Sequence, residues 1–134
     1  MSTIITIVKK TRENTNYRAV INTGQMSQLV VMNIPVGGEI GEEKHDQVEQ
    51  SIFMVQGKAQ VSLDGKDSPV CAGEVVVISP GTFHNILNMG TEPLLMYTVY
   101  TPPNHLEGRI HATKAEAIKD VEDEKFGKKV NEKK

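Results

Sequence analysis

The chain has 134 residues, with 15 basic and 17 acidic side chains and a formal net charge of −2. That is the length of one domain with a real core, and so balanced a charge gives no ground for a nucleic-acid or membrane partner. Aromatic residues make up 4% and Trp is absent, which leaves no base-stacking platform, and the lone Cys71 can form neither an internal disulfide nor a cysteine metal cluster.

The first segment, "MSTIITIVKK", has too short an apolar run for a secretory signal or a membrane span, so a cytoplasmic protein is expected. Its β-branched residues predict a strand at 4–8. Further strands are predicted at 17–22, 29–34, 50–56, 59–63, 75–78, 84–88 and 94–100, separated by clusters of Gly, Pro, Asn and Asp. Asp64-Gly65 between two such runs is a hairpin signal. Eight short strands with tight turns predict a sandwich or small barrel over about 4–100. Pro102 and Pro103 end that pattern. A helix is then predicted from about 113 to 126, opened by a capping box of Thr113 and Glu116. Residues 127–134 read as a loose polar tail. No linker or repeat divides the chain, so 1–134 is expected to be one domain. The apolar "TIITIV" strand would leave an exposed edge, which predicts a homodimer.

The stretch "EEKHDQVEQ" at 42–50 stands between a turn-rich segment and an apolar run. Alternate residues of a strand share a face. Gln50 is therefore expected on the face of Ile52 and Met54, and His84 on the face of Ile86 and Asn88. Each puts a coordinating group at the end of an apolar face, as at the mouth of a barrel pocket. Glu43 and His45, two residues apart, can project to one side of an extended segment. The alternative for Glu42, Glu43 and Lys44 is a solvated turn. Cys71 reads as a small buried hydrophobe. His105 and His111 read as surface or capping residues with a lesser chance of lining the pocket rim. The glycines precede no helix in a phosphate-loop pattern, so no nucleotide site is expected.

Two stretches carry a resemblance. Gly37, five residues, Glu43, Lys44, His45, then Gln50 and Gly57 trace one motif; Gly73, five residues, Ser79-Pro80-Gly81, His84 and Asn88 trace a second. In spacing they resemble the two motifs of the cupin superfamily, and the flanks resemble small single-domain cupins, some labelled mannose-6-phosphate isomerase-like. Glu43 stands where the family usually has His, Gln50 where it has Glu, and Ser79 where it has Pro. The resemblance implies an all-β jelly-roll barrel with a short C-terminal helix outside it. It also implies a divalent metal, zinc, iron or manganese, on Glu43, His45, Gln50 and His84. Two imidazoles and a carboxylate suit such an ion, while the Gln50 amide is a weaker donor that can instead orient a ligand.

Two function classes follow. One is an enzyme that binds a small oxygen-rich substrate at the metal, of isomerase or dioxygenase type. A sugar-phosphate isomerase needs a cationic phosphate clamp, and Arg12, Arg18 and Arg109 all lie outside the central motifs. The other is a non-catalytic module that binds or senses a small molecule.

Overall fold

The structure, a computed structural model, describes residues 2–132. Nine strands and three helices are found among them: α1 (Ile7–Glu13), β1 (Arg18–Thr23), β2 (Gln28–Ile34), β3 (Glu49–Gln56), β4 (Lys58–Leu63), β5 (Lys66–Cys71), β6 (Val75–Ile78), β7 (His84–Asn88), β8 (Leu94–Thr101), β9 (Ile110–His111), α2 (Lys114–Lys119) and α3 (Val121–Val130). The strands form a six-stranded sheet in the order β6-β3-β8-β2-β1-β9 and a three-stranded sheet in the order β5-β4-β7. Every pairing is antiparallel. This is the expected all-β jelly-roll architecture with helix added at the C-terminal end.

Alternation of burial along the strands builds the interior. β3 turns Gln50, Ile52 and Met54 inward, and β7 turns His84, Ile86 and Asn88 inward. Residues directly opposite on neighbouring strands share a face. One inner row therefore runs Val30, Thr98, Ile52, Val76. A second row, Gln28, Tyr100, Gln50, Ile78, carries three polar groups. The core proper joins Met32, Ile34, Met54 and Met96 of the large sheet to Ala59, Val61 and Ile86 of the small one.

The segment after β2 joins the small sheet along β7. Ile40 donates to the Ile86 carbonyl, and Glu43 and His84 exchange both backbone hydrogen bonds at 2.8 Å. The second motif's strand thus fixes the first motif's segment. Gly57, between β3 and β4, has φ +100, and an added Cβ would sit 3.2 Å from Leu94 Cδ1 and 3.3 Å from Leu94 Cα. A side chain there meets both left-handed strain and backbone. We expect Gly57→Ala to destabilise by about 2 kcal/mol in a urea melt, with the β3–β4 reversal as its cause.

Five expectations are corrected. Residues 4–8 form no strand: Ile4 is exposed and α1 begins at Ile7. α1 packs on the outer face of the large sheet, where Val8 and Arg12 lie over the stacked Phe53 and Tyr97 rings. Packing there outweighs the β propensity of a short run, and the edge strand from which pairing of two copies was argued is absent. The C-terminal helix does not run unbroken to 126. The Thr113 cap accepts from Glu116 N at 3.2 Å as expected, but the helix stops at Lys119, and Asp120 caps a second helix by accepting from Asp123 N at 3.1 Å. α3 continues to Val130, so 127–130 of the expected tail is helical, while 133–134 lies outside the described residues. Cys71 is exposed, because it ends β5, an edge strand whose side chains mostly face solvent. His105 and His111 are buried rather than on the surface. Among the described residues no helix is long and apolar enough to cross a membrane.

Candidate metal centre

The paired backbone of Glu43 and His84 is the foundation of the site. Residues that exchange both hydrogen bonds in an antiparallel pair send their side chains to the same face. Glu43 Oε2 lies 3.7 Å from His84 Nε2. Two residues on, His45 brings its Nε2 to 3.4 Å from the same oxygen. His45 is held by Gly81 of the β6–β7 turn, whose N–H donates to the His45 carbonyl at 2.8 Å. The two imidazole rings are 5.3 Å apart. The donor atoms of Glu43, His45 and His84 all lie within 4.8 Å of one another.

The tautomer of His84 follows from its neighbour. Its Nδ1 donates to the Thr82 carbonyl at 3.0 Å, so Nε2 carries the lone pair in the neutral ring. That lone pair faces a carboxylate, and Nε2 of both His45 and His84 is buried with no hydrogen-bond partner. Two ligand atoms about 2.1 Å from one ion stand about 3.0–3.4 Å apart, close to the separations seen. A cation fits among these three donors. With no cation, burial works against charging His84, but Glu43 and the Thr82 carbonyl outweigh it and raise its pKa. Burial likewise opposes ionisation of Glu43, yet His45, His84 and Arg18 hold its carboxyl well below the usual range.

Gln50 is 2% exposed and its Oε1 has no partner. It lies opposite Tyr100 on β8, whose ring meets His45 edge-on at 6.1 Å. Its unpartnered oxygen is buried on the inner face of the barrel, on a strand neighbouring Tyr100.

Sequence reasoning missed what surrounds this centre. A cavity of about 740 Å³ opens beside Glu43 and His45, walled by Tyr17 and Arg18 of the barrel, by Asn104 and His105, and by residues of α2 and α3. Gln28 orders the wall: its Oε1 accepts from the backbone N of Asn104 and His105, and its Nε2 donates to the His105 carbonyl at 2.7 Å. His105 Nδ1 donates to Asp123 at 2.8 Å, and its Nε2 accepts from the Tyr100 hydroxyl at 3.3 Å. Leu106 N donates to the other Asp123 oxygen at 2.7 Å. In a second cluster of possible ligands, His111, Asp120 and Asp123, the carboxylates and His111 Nε2 are already engaged internally, while His111 Nδ1 is buried without a partner. Asp120 accepts from His111 and pairs with Arg109, and Asp123 from His105 and Leu106, so this cluster latches the helices to the barrel.

That latch is expected to weaken in acid. Burial, helped by the charge of Arg18, outweighs Asp123 and lowers the His105 pKa. Burial pushes the Asp123 carboxyl up, but His105, Leu106 N–H and Arg18 outweigh it and lower it. A folded pKa below its unfolded value gives stability above the unfolded pKa that is lost as pH falls through the folded one. The docking of α3 should therefore loosen below about pH 6.5 and again below about pH 3.9. His84 acts in the opposite sense in metal-free protein, because its raised pKa gives stability that is lost as pH rises. The measurement is accordingly local: the opening free energy of α3 amides from hydrogen exchange across pH.

Comparison with known proteins places these features. The cupin domain family matches residues 30–100. The Bacillus subtilis protein YrkC, itself uncharacterized, is 34% identical over 122 residues, which cover 86% of this chain and 65% of that protein. The chain thus spans just under two thirds of that relative's length. A crystal structure from Bacillus halodurans superposes with a TM-score of 0.86 at 31% identity, covering 88% of this chain and 94% of that one. An oxalate-binding protein from Thermotoga maritima is 32% identical over 63 residues, 47% of this chain and 52% of that protein. The two-sheet barrel, the His and Glu side chains turned into it and the matched motifs lead to one assignment: the chain belongs to the cupin domain family.

Proposed function

We propose that the protein is a metal-binding cupin that takes a small oxygen-rich metabolite in its barrel pocket. Glu43, His45 and His84 would hold a divalent ion, zinc, iron or manganese, with the Gln50 amide as a fourth donor. The observation that carries this reading is the pair of buried donors without partners, His45 Nε2 and His84 Nε2, about one carboxylate, with a further unpartnered oxygen, Gln50 Oε1, on the inner face of the same barrel. Buried polar atoms are normally satisfied, and a shared cation would satisfy both imidazole nitrogens at once. The ion would supply polarisation of a carbonyl or hydroxyl oxygen of the ligand, or dioxygen activation if it is iron.

The protein's own residues define what happens around it. The Thr82 carbonyl fixes the His84 tautomer that leaves Nε2 free. The Tyr100 hydroxyl, His105 and Asp123 form a buried hydrogen-bonded chain beside the cavity, a group able to hold a proton near a bound ligand. An enzyme of isomerase or dioxygenase type is one form of this proposal, including the sugar-phosphate type of the isomerase-like relatives. The other form is a non-catalytic binding module. The name of the Thermotoga maritima relative, an oxalate-binding protein, favours a small oxygen-rich ligand and is compatible with both. The reading goes with a cytoplasmic homodimer that has neither a nucleic-acid nor a membrane partner. The edge strand β6, with Val75 and Val77 exposed, offers a place for two copies to pair.

The test is metal content of the purified protein, followed by oxygen uptake and sugar-phosphate isomerisation assays on the metal-loaded form. Stoichiometric metal with turnover supports the enzyme, and metal with binding but no turnover supports the module. Failure of zinc, iron and manganese alike to bind would remove the metal centre.

A further inference from the structure

We infer that Arg18 is an anion seat in the same cavity and that the ligand carries a carboxylate. The inference rests on the metal-centre reading for the ligand's other end, but not for the seat itself. Arg18 opens β1, held between Met32 of β2 and His111 of β9, so its backbone is fixed on both sides. It points to the inner face and lines the cavity that also contains Glu43 and His45. It is 8% exposed, and its Nε is buried without a hydrogen-bond partner. Among the described residues no carboxylate comes within ion-pair distance of it. The Tyr17 ring centroid lies 5.4 Å from the guanidinium carbon.

A buried charge without a close counter-charge is costly. Its charge is felt at Glu43, His105 and Asp123, so it faces the site. A guanidinium fork with free donors matches a carboxylate in bidentate fashion. The acids that line the cavity outnumber its cations, and most of those cations are lysines of the outer wall. One guanidinium balances one carboxylate at the seat and leaves a ligand's second oxygen function, such as malonate's other carboxylate, to an ion on Glu43, His45 and His84, whereas a phosphate dianion would concentrate both charges at the seat among uncompensated acids. The ligand class is thus a small carboxylate whose second oxygen function reaches the Glu43, His45 and His84 donors. Arg18 would set its orientation and select it over neutral analogues.

The experiment is calorimetric titration of malonate, malonamide and inorganic phosphate into metal-free and manganese-loaded protein, for the parent chain, Arg18→Gln and Arg18→Lys. Manganese affinity is measured separately for each. Malonate should bind the parent and weaken about tenfold to a hundredfold in Arg18→Gln, with a smaller loss in Arg18→Lys, which keeps charge but not the fork. Manganese affinity should be little changed, and malonamide should not distinguish the variants. If Arg18→Gln does not fold, the Arg18 Nε–H resonance of the parent serves instead: it should shift on addition of malonate and not of malonamide. Equal malonate affinity in parent and Arg18→Gln, a resonance that does not move, or no malonate binding to either form of the parent overturns the seat. Phosphate bound more tightly than malonate overturns the carboxylate class. A parent that takes malonate through Arg18 but no manganese keeps the seat and removes the metal centre, so the two readings fail separately.

Discussion

Glu43→Gln is expected to lower divalent-metal affinity by about a hundredfold or more. Glu43 is the only carboxylate among the four proposed donors, and its Oε2 is the point on which both imidazoles converge, at 3.4 and 3.7 Å. Without it, two neutral rings and an amide remain to hold a dication, a poor set for zinc, iron or manganese alike. Loss of residues that merely orient a ligand costs about 10–100-fold in affinity, and loss of the charged ligand should cost at least that. His84→Ala should act similarly. Gln50→Glu should keep or tighten binding, because it adds a second carboxylate at a buried, unpartnered oxygen. A solvated turn at 42–44 would give the opposite result, unchanged metal affinity in Glu43→Gln and a stability change under about 0.5 kcal/mol. Competition titration against a chelating dye, run on all three variants beside the parent, separates these outcomes.

The centre was legible in the sequence because its geometry is local to two motifs. Glu43 and His45 stand two apart on one extended segment, and His84 and Gln50 fall on the inward phase of their strands, so alternation alone orients them. The surrounding wall was not legible, because it is assembled by contacts distant in sequence. Arg18 stands far from both motifs along the chain and enters the cavity only because β1 is paired between β2 and β9. His105 looked like a surface residue on an irregular segment, yet Gln28, 77 residues away, binds its backbone and Asp123, 18 residues away, binds its ring. Polar side chains in a segment without periodicity give no burial signal, and here each is buried by finding a polar partner. The failed strand at 4–8 has the same origin in reverse. A short β-branched run has no partner strand available, and the chain instead places α1 over Phe53 and Tyr97. β5, "KDSPVC", escaped notice because Pro69 and its charges suit only an edge strand, which is where it lies.

Asp123→Ala should undock the C-terminal helices at a cost of about 3 kcal/mol. The carboxylate is 5% exposed and accepts from two separate donors, His105 Nδ1 at 2.8 Å and Leu106 N at 2.7 Å. Hydrogen bonds to a charged acceptor contribute about 1.5–3 kcal/mol each, and truncation leaves both donors buried without a partner. Asp123→Asn keeps one acceptor oxygen, so its loss should be roughly half as large. The penalty should fall mainly on α3, which meets the core through Val130, while Ile52, Met96 and Ile86 stay fully buried among the strands. Amide exchange should therefore quicken across α3 and the 104–106 segment while the β3 and β8 amides keep their protection. Undocking also removes Asn131, which accepts from Gln47 N at 3.0 Å between His45 and Gln50, and it opens the cavity wall formed by Asp123 and Gly127. Ligand affinity should fall with the wall, while metal affinity should hold, because Glu43, His45 and His84 are positioned by β7 and the β6–β7 turn. Unchanged α3 exchange in Asp123→Ala would show that Asp120, through His111 and Arg109, holds the helices without Asp123.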